Sequence, residues 1–435
     1  MENKMLYDNL GINDKGHLTI GGADTVDIAR EFGTALYVMD ENKLRSNVRT
    51  YVEAMNRYFA AGSMPLLASK ALCFKGIYPV IDSEGMGADL VSPGEIYTAC
   101  AAGFPTEKMY FHGNNKTDED IRFAIEHKVG WFIIDNYNEL DALDRIAGEM
   151  GVTQKALLRI TPGINPHTFE AVNTGKIDCQ FGVPIETGQA AEFVGAALQK
   201  EHISVHGFHS HIGSEIFEPD PFCDAVDILM DFAVKMRERY GFTADIFNLG
   251  GGFAVRYVES DPQVDIAANI KALSDHLNAK CDELDYPVPA ILLEPGRSSV
   301  ATAGLTLYTA GGIKTIEGYR SYVTVDGGMP DNPRYALYKA RYTVVMASRM
   351  NDPSDFKCSV CGRCCESGDL IQENIMLPEA KRGDIIAVLG TGAYNFSMAS
   401  NYNRLVRPGI VFIKDGQTRL VVRRQTYEDL IACDL

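Results

Sequence analysis

Residues 131–150 read Trp131-Phe132-Ile133-Ile134-Asp135-Asn136-Tyr137-Asn138-Glu139-Leu140-Asp141-Ala142-Leu143-Asp144-Arg145-Ile146-Ala147-Gly148-Glu149-Met150. The opening apolar run predicts a short strand buried on both faces. From Tyr137 onward Leu140, Leu143 and Ile146 recur every third residue and leave the acidic positions outward. That spacing predicts an amphipathic helix over 137–150.

The same unit recurs on both sides. Apolar runs stand at Leu66–Ser69, Ala88–Val91, Met109–His112, Trp131–Asp135, Ala156–Ile160, Val205–His209, Asp245–Leu249 and Ile291–Leu293. The first five begin about 22 residues apart, room for one strand, one helix and two short loops. Pro93 opens the segment 93–102, where a missing N–H costs a helix nothing. Eight strand–helix alternations with right-handed crossovers predict an α/β fold of the (β/α)₈, TIM-type barrel class. A doubly wound open sheet is the alternative, since strand count does not establish closure.

Beyond residue 305 the pattern turns β-rich, with runs at 305–316, 322–325, 384–389 and 409–422. In the last, Asp415-Gly416 between extended arms predicts a hairpin. The expected organisation is a barrel over 36–304 and an all-β (sandwich- or barrel-like) domain from 1–35 plus 305–435.

Composition narrows the partners. The 435 residues carry 41 Lys+Arg against 58 Asp+Glu, a formal charge of −17. This argues against a nucleic-acid or anionic-membrane partner, because both need a basic surface. No run of about 18 apolar residues predicts a membrane span. The polar start shows no secretory leader, and a cytoplasmic location is expected. Ten cysteines are too few for a disulfide scaffold at this length.

Reactive residue types gather just past the predicted strands, at the end where barrels build their sites. Lys70 follows the first run and Asp89 lies in the second. His112 and Asn114 end the third, and Arg159 lies in the fifth. His209 and His211 close the sixth, Gly250-Gly251-Gly252 the seventh, and Glu294-Pro295-Gly296-Arg297 the eighth. Taken singly, a lysine in solvent or a glycine turn explains each. Their collection at one end of one architecture is not explained that way. A lysine beside an apolar strand is expected to be partly desolvated, which suits a Schiff base. Three glycines let backbone N–H groups approach a phosphate. A carboxylate at a strand end can hold a proton on a ring nitrogen. Together these describe pyridoxal 5'-phosphate.

Five motifs carry a family resemblance: Ala68-Ser69-Lys70-Ala71, His209-Ser210-His211-Ile212-Gly213-Ser214, Gly250-Gly251-Gly252, Glu294-Pro295-Gly296-Arg297 and Cys365-Glu366-Ser367-Gly368-Asp369. In this order the chain resembles the alanine-racemase-like (fold type III) pyridoxal-phosphate decarboxylases. Residues 111–116, Phe-His-Gly-Asn-Asn-Lys, and 393–398, Ala-Tyr-Asn-Phe-Ser-Met, point to the members that convert meso-diaminopimelate to L-lysine and CO₂. The resemblance implies Lys70 as the Schiff-base lysine, Glu294 at the pyridine nitrogen and His211 on the ring face. It places Ser214, Gly251, Gly252, Gly296 and Arg297 around the phosphate, with Asp89, Arg159 and Tyr394 also at the cofactor. Cys365 is the implied acid that reprotonates the α-carbon. Arg297, Arg334, Tyr338 and Tyr394 are implied to bind substrate, the arginines gripping the distal carboxylate, and Glu366 to face the distal ammonium. It also implies a homodimer in which Cys365 and Glu366 enter the neighbouring subunit's site.

Two departures and two alternatives stand beside this. Cys358, Cys361 and Cys364 precede Cys365 where the family carries one cysteine. The spacing suits a metal or redox cluster, but Gly368-Asp369 stand where the bacterial ferredoxin pattern needs Cys-Pro. No metal is expected. Gln180 replaces the lysine common before Phe181-Gly182. The alternatives are a related substrate (carboxynorspermidine, ornithine, lysine, arginine or a D-amino acid) and a non-catalytic homologue, which the presence of Lys70 and Cys365 disfavours.

Overall fold

The computed structural model describes residues 5–163 and 178–435. The chain divides into two compact units: residues 48–254 with 263–298, and residues up to 47 with 255–262 and 299–435.

The first unit is built on eight parallel strands: β1 (Met64–Ala68), β2 (Gly87–Leu90), β3 (Met109–Phe111), β4 (Trp131–Ile134), β5 (Gln154–Thr161), β6 (Ile203–His209), β7 (Ile246–Asn248) and β8 (Ala290–Leu293). Each pairs with the next, and β8 pairs back onto β1 through Leu292–Met64 and Leu293–Pro65. The sheet is therefore closed, a TIM-type barrel, and the open-sheet alternative falls. A two-residue strand, Val183–Pro184, adds to the end of β5. Leu66, Tyr110, Ile133, Leu157 and Leu292, one residue from each of five strands, form a buried cluster. Alternation explains this, because every second side chain of a strand faces the same side.

Local signals set the helices between the strands. Asn136 caps Tyr137–Glu149 by accepting from the Glu139 N–H, and Leu140, Leu143 and Ile146 are its buried stripe. Ser92 caps Pro93–Ala101 in the same way. In β6 the register shifts between Val205 and Gly207, and a Cβ on Gly207 would fall 1.9 Å from the Ile246 carbonyl oxygen. Only glycine fits that close approach of β6 to β7.

The second unit is β-rich. Its main sheet runs, in order, Leu370–Leu377, Phe356–Cys361, Arg320–Val325, Gly304–Ile316, Leu36–Asp40, Gly409–Lys414 and Gln417–Val422. Ile385–Leu389 pairs with both Gly304–Ile316 and Val344–Met346. The strand Leu36–Asp40, at the start of the span read as barrel, pairs antiparallel with Gly304–Leu307 and parallel with Gly409–Ile413. The Asp415-Gly416 turn forms as read: both residues have positive φ, 52° and 76°, and join the arms Gly409–Lys414 and Gln417–Val422. No helix among the described residues is long and apolar enough to cross a membrane.

Candidate active site

The polar residues of the barrel unit meet at the C-terminal ends of its strands. At their centre is Glu294, just after β8 and 6% exposed. Asn248, ending β7, donates its Nδ2–H to Glu294 Oε1 at 2.7 Å. His209, ending β6, contacts the carboxylate at 3.4 Å through Nε2. His112, after β3, places Nε2 3.0 Å from Glu294 Oε1 and 3.6 Å from Asp89 Oδ1. Four strands thus converge on one buried carboxylate.

Burial decides the charge states around it. Desolvation would raise the Glu294 carboxyl, but His112 first, and then His209, outweigh it and hold the group well below the usual range. Burial pushes the Asp89 carboxyl up, opposed by His112. Burial drives the His209 imidazole down to about 3, so it contacts Glu294 as a neutral ring. His211 is also held well below the ordinary histidine range, by burial and then by the Lys70 charge. Its Nδ1 accepts the Gly251 N–H at 2.9 Å, which leaves the ring proton on Nε2.

Lys70 sits in a 3₁₀ turn, Ser69–Ala71, directly after β1. Its side chain is exposed, where a position beyond an apolar strand predicts partial desolvation. The turn buries Ser69 and Ala71, and the Lys70 charge acts on Asp89 and His211 at the neighbouring strand ends. Arg159 on β5 lies over the Phe181 ring at 4.5 Å, with Nη1 3.7 Å from Asp135 Oδ1. Arg297 is buried, 3.3 Å from Glu215 Oε1, and donates to Ser214 Oγ at 3.5 Å.

The glycines explain the shape of the loop after β7. A Cβ on Gly251 would sit 2.8 Å from the Gly213 carbonyl oxygen, and one on Gly252 2.7 Å from Pro295 Cα. A Cβ on Gly296 would sit 2.9 Å from Ala71 Cβ. Side chains are excluded, so the loop presents backbone, the form in which N–H groups cradle a phosphate. Asp89 Oδ1, His209 Nδ1 and Ser210 Oγ are buried without a hydrogen-bond partner. Unpaired buried polar atoms are costly and mark a place where a ligand completes the bonding. A lysine at a strand end, a carboxylate kept ionised, a glycine cup and unfilled polar atoms fit pyridoxal 5'-phosphate.

His112, His209 and Glu294 also bring three ligand atoms within 4.8 Å of one another, a spacing that suits a metal ion. The hydrogen bond from Asn248 already engages Glu294 Oε1, and His209 Nε2 contacts the same carboxylate at 3.4 Å.

The second unit holds the other expected residues. Arg334 opens the helix Arg334–Tyr338 and is 6% exposed, whereas Tyr338 at its other end is 45% exposed. The Arg334 guanidinium lies 5.5, 5.7 and 5.8 Å from the ring centres of Tyr257, Tyr342 and Tyr394. It donates to the Tyr342 hydroxyl at 2.8 Å and to the Tyr257 hydroxyl at 3.4 Å. Cys365 and Glu366 stand on the loop after Phe356–Cys361, and Cys365 is exposed. Asp369 shapes that loop by accepting from the backbone N–H groups of Met329, at 2.6 Å, and Cys364, at 2.7 Å.

The neighbouring cysteines differ from Cys365 in burial. Burial pushes the thiols of Cys358 and Cys361 up to about 11 and that of Cys364 to about 12. Thiols so raised supply little thiolate, the form that attacks disulfides. Among the described residues these cysteines form no group that could hold a metal ion.

Sequence reading placed His112 and His209 at strand ends but did not assign them to the site, and it passed over Asn248 and Tyr257. The local signal for Asn248 was weak: one amide at the end of an apolar run. Its partner lies 46 residues away.

A closed barrel with a lysine after β1, a glycine cup after β7 and an ionised carboxylate after β8 is the architecture of a pyridoxal-phosphate enzyme. Residues 42–301 match the family model described as "Pyridoxal-dependent decarboxylase, pyridoxal binding domain". The diaminopimelate decarboxylase of Bacillus subtilis (strain 168) is 42% identical over 97% of this chain and 96% of its own. The crystal structure of diaminopimelate decarboxylase from M. jannaschii, in complex with L-lysine, is 35% identical. It superposes with a TM-score of 0.91 over 98% of both chains. A lysine/ornithine decarboxylase from Vibrio vulnificus, at 22% identity and a TM-score of 0.75 over 93% of this chain and all of its own, shares the fold. The chain belongs to the pyridoxal-dependent decarboxylases and, among them, to the diaminopimelate decarboxylase family.

Proposed function

We infer that the protein uses pyridoxal 5'-phosphate to decarboxylate meso-diaminopimelate at its D-centre, giving L-lysine and CO₂, the last step of lysine biosynthesis. The observation that carries this reading is the 42% identity to a curated diaminopimelate decarboxylase along 97% of the chain. When bound, the cofactor supplies an electron sink for the pair left on the α-carbon as CO₂ departs.

Each residue has a task in this reading. Lys70 anchors the cofactor aldehyde and yields that place to the substrate amine. Glu294 holds a proton at the ring nitrogen, which its ionised state permits. His211 covers one ring face, with Asp89, Arg159 and Tyr394 also on the cofactor side. Ser214, Gly251, Gly252, Gly296 and Arg297 hold the phosphate end. Arg297, Arg334, Tyr338 and Tyr394 bind substrate, and Glu366 faces its distal ammonium. Two arginines suit a substrate ending in a carboxylate, because their forked donors bind it in pairs. Cys365 delivers the proton to the α-carbon, a task that suits a thiol, whose ordinary pKa of about 8.5 lies near working pH.

The reading assigns cofactor binding mainly to residues 36–304, and the remainder to substrate and partner recognition. The active form is a cytoplasmic homodimer in which Cys365 and Glu366 serve the partner's site. Gln180 bears on substrate choice and the cysteines at 358, 361 and 364 carry no metal.

The test is CO₂ release from the purified holoenzyme with meso-diaminopimelate, L-lysine, L-ornithine, L-arginine, D-lysine and carboxynorspermidine in parallel. Strong preference for meso-diaminopimelate is expected. Faster release from another substrate would keep the cofactor and move the enzyme to polyamine or D-amino-acid metabolism.

A further inference from the structure

We propose that Asn248 is a positioning residue that ties the carboxylate of Glu294 to the phosphate loop, so that the two ends of the cofactor site are set by one side chain. Asn248 is completely buried at the end of β7. Its Nδ2 donates to Glu294 Oε1 at 2.7 Å, and its Oδ1 accepts the Gly250 N–H at 2.9 Å. Both functions of the amide are therefore spent, one on the carboxylate and one on the first glycine of the cup. A second link runs alongside: the Glu294 N–H donates to the Gly250 carbonyl at 2.8 Å. The Ser210 N–H in turn donates to the Asn248 carbonyl at 2.8 Å, joining the His209–His211 segment to the same residue.

The amide suits this place better than its acidic isostere. It gives Glu294 a neutral donor, which favours the ionised carboxylate without adding charge. Aspartate would leave the Gly250 N–H its acceptor but would set a second carboxylate against Glu294. Two carboxylates at hydrogen-bonding distance share a proton, and one of them ionises only at higher pH. The other groups facing this cluster are Asp89, His112, His209, His211, Lys70 and Arg159, drawn from five further strand ends. The effect of Asn248 is thus on where and when Glu294 carries its charge.

The inference rests on the reading that Glu294 serves the ring nitrogen and that Gly250–Gly252 serve the phosphate. The experiment compares Asn248→Asp, Asn248→Ala and Glu294→Gln with the parent holoenzyme. It measures the pyridoxal-phosphate Kd of the resolved apoenzyme by fluorescence, the pH profile of kcat, and KM. Asn248→Asp is nearly isosteric and is expected to keep the parent's melting temperature. Its acidic limb of kcat should move up by about one pH unit or more, with KM within about threefold. Asn248→Ala should weaken pyridoxal-phosphate binding about tenfold or more, since it orphans the Gly250 N–H and removes the amide donor to Glu294 Oε1. Parent-like Kd and pH profiles in both variants, with Glu294→Gln impaired, overturn this inference alone. A Glu294→Gln enzyme with parent-like spectra, Kd and turnover overturns the reading of Glu294 itself.

Discussion

Lys116 and Glu139 form an ion pair at 2.7 Å with side chains only 1% and 2% exposed. Lys116 spends its other donors on the carbonyls of Gly113, at 2.9 Å, and Ile133, at 2.8 Å. Glu139 Oε2 accepts the Asp135 N–H at 3.0 Å. The pair therefore joins the loop after β3, the end of β4 and the helix Tyr137–Glu149, directly behind Asp135 and its contact to Arg159.

A buried charge that loses its partner cannot regain water, so removing one member should be far worse than removing both. Lys116→Met alone should lower unfolding stability by about 3–5 kcal/mol. The double variant Lys116→Met with Glu139→Leu should recover most of that loss. Urea unfolding of the two holo-proteins checks this, and equal stabilities would mean that the pair contributes nothing as a pair.

His209 predicts a pH dependence with a definite sign. Its folded pKa of about 3 lies below the ordinary histidine value, so the unfolded chain binds a proton that the folded chain refuses. Its contribution is complete above about pH 6.5 and declines as pH falls towards 3, by at most about 1.4 kcal/mol per pH unit. His209→Asn should flatten the stability–pH curve across that window. An unchanged slope would assign it to other groups.

Gly252→Ala tests the cup. Its new Cβ would meet Pro295 Cα at 2.7 Å and Pro295 Cβ at 2.8 Å, backbone and a rigid ring that cannot rotate aside. The variant should fold yet bind pyridoxal phosphate about tenfold or more weakly. Equilibrium titration of the apoenzyme reads this, and parent-like affinity would remove the loop from the phosphate site.

The tyrosine cage predicts how Arg334 is held. Tyr342→Phe deletes the hydroxyl that accepts from Arg334 at 2.8 Å and from Asn395 at 3.3 Å, while keeping the ring. KM for meso-diaminopimelate should rise about tenfold with kcat within about twofold, the pattern of lost ground-state positioning. Arg334→Ala should raise KM further, and only for substrates with a distal carboxylate. An equal loss for all diamino substrates would mean that it is no carboxylate clamp.

Lys70→Ala should abolish covalent retention of the cofactor and turnover together. Cys365→Ala should retain the cofactor and lose most turnover. Continued turnover by either variant reassigns that residue.

Much of this protein could be read from local pattern. The short apolar runs at strand spacing, the three-residue repeat of Leu140, Leu143 and Ile146, and the Asp415-Gly416 turn each depend on neighbours within a few residues. Local sterics and solvation act over that range. Lys70, Gly250–Gly252 and Glu294 were legible for the same reason: each follows its strand directly, and strand ends in a barrel share one face.

Tertiary structure alone decided the rest. Closure of the barrel is a pairing of β8 with β1, more than 200 residues apart, and no local signal encodes a contact of that span. The strand Leu36–Asp40 reads as an ordinary apolar run, yet its partners are Gly304–Leu307 and Gly409–Ile413. Asn248 is unremarkable in the sequence, and His112 and His209 stand out there only as strand-end histidines, because what matters is the carboxylate they share. The exposure of Lys70 and the buried pairing of Lys116 likewise depend on what packs around each. Sequence determined which residues could do the chemistry; burial and convergence of strand ends determined which of them are held together, and in what charge state.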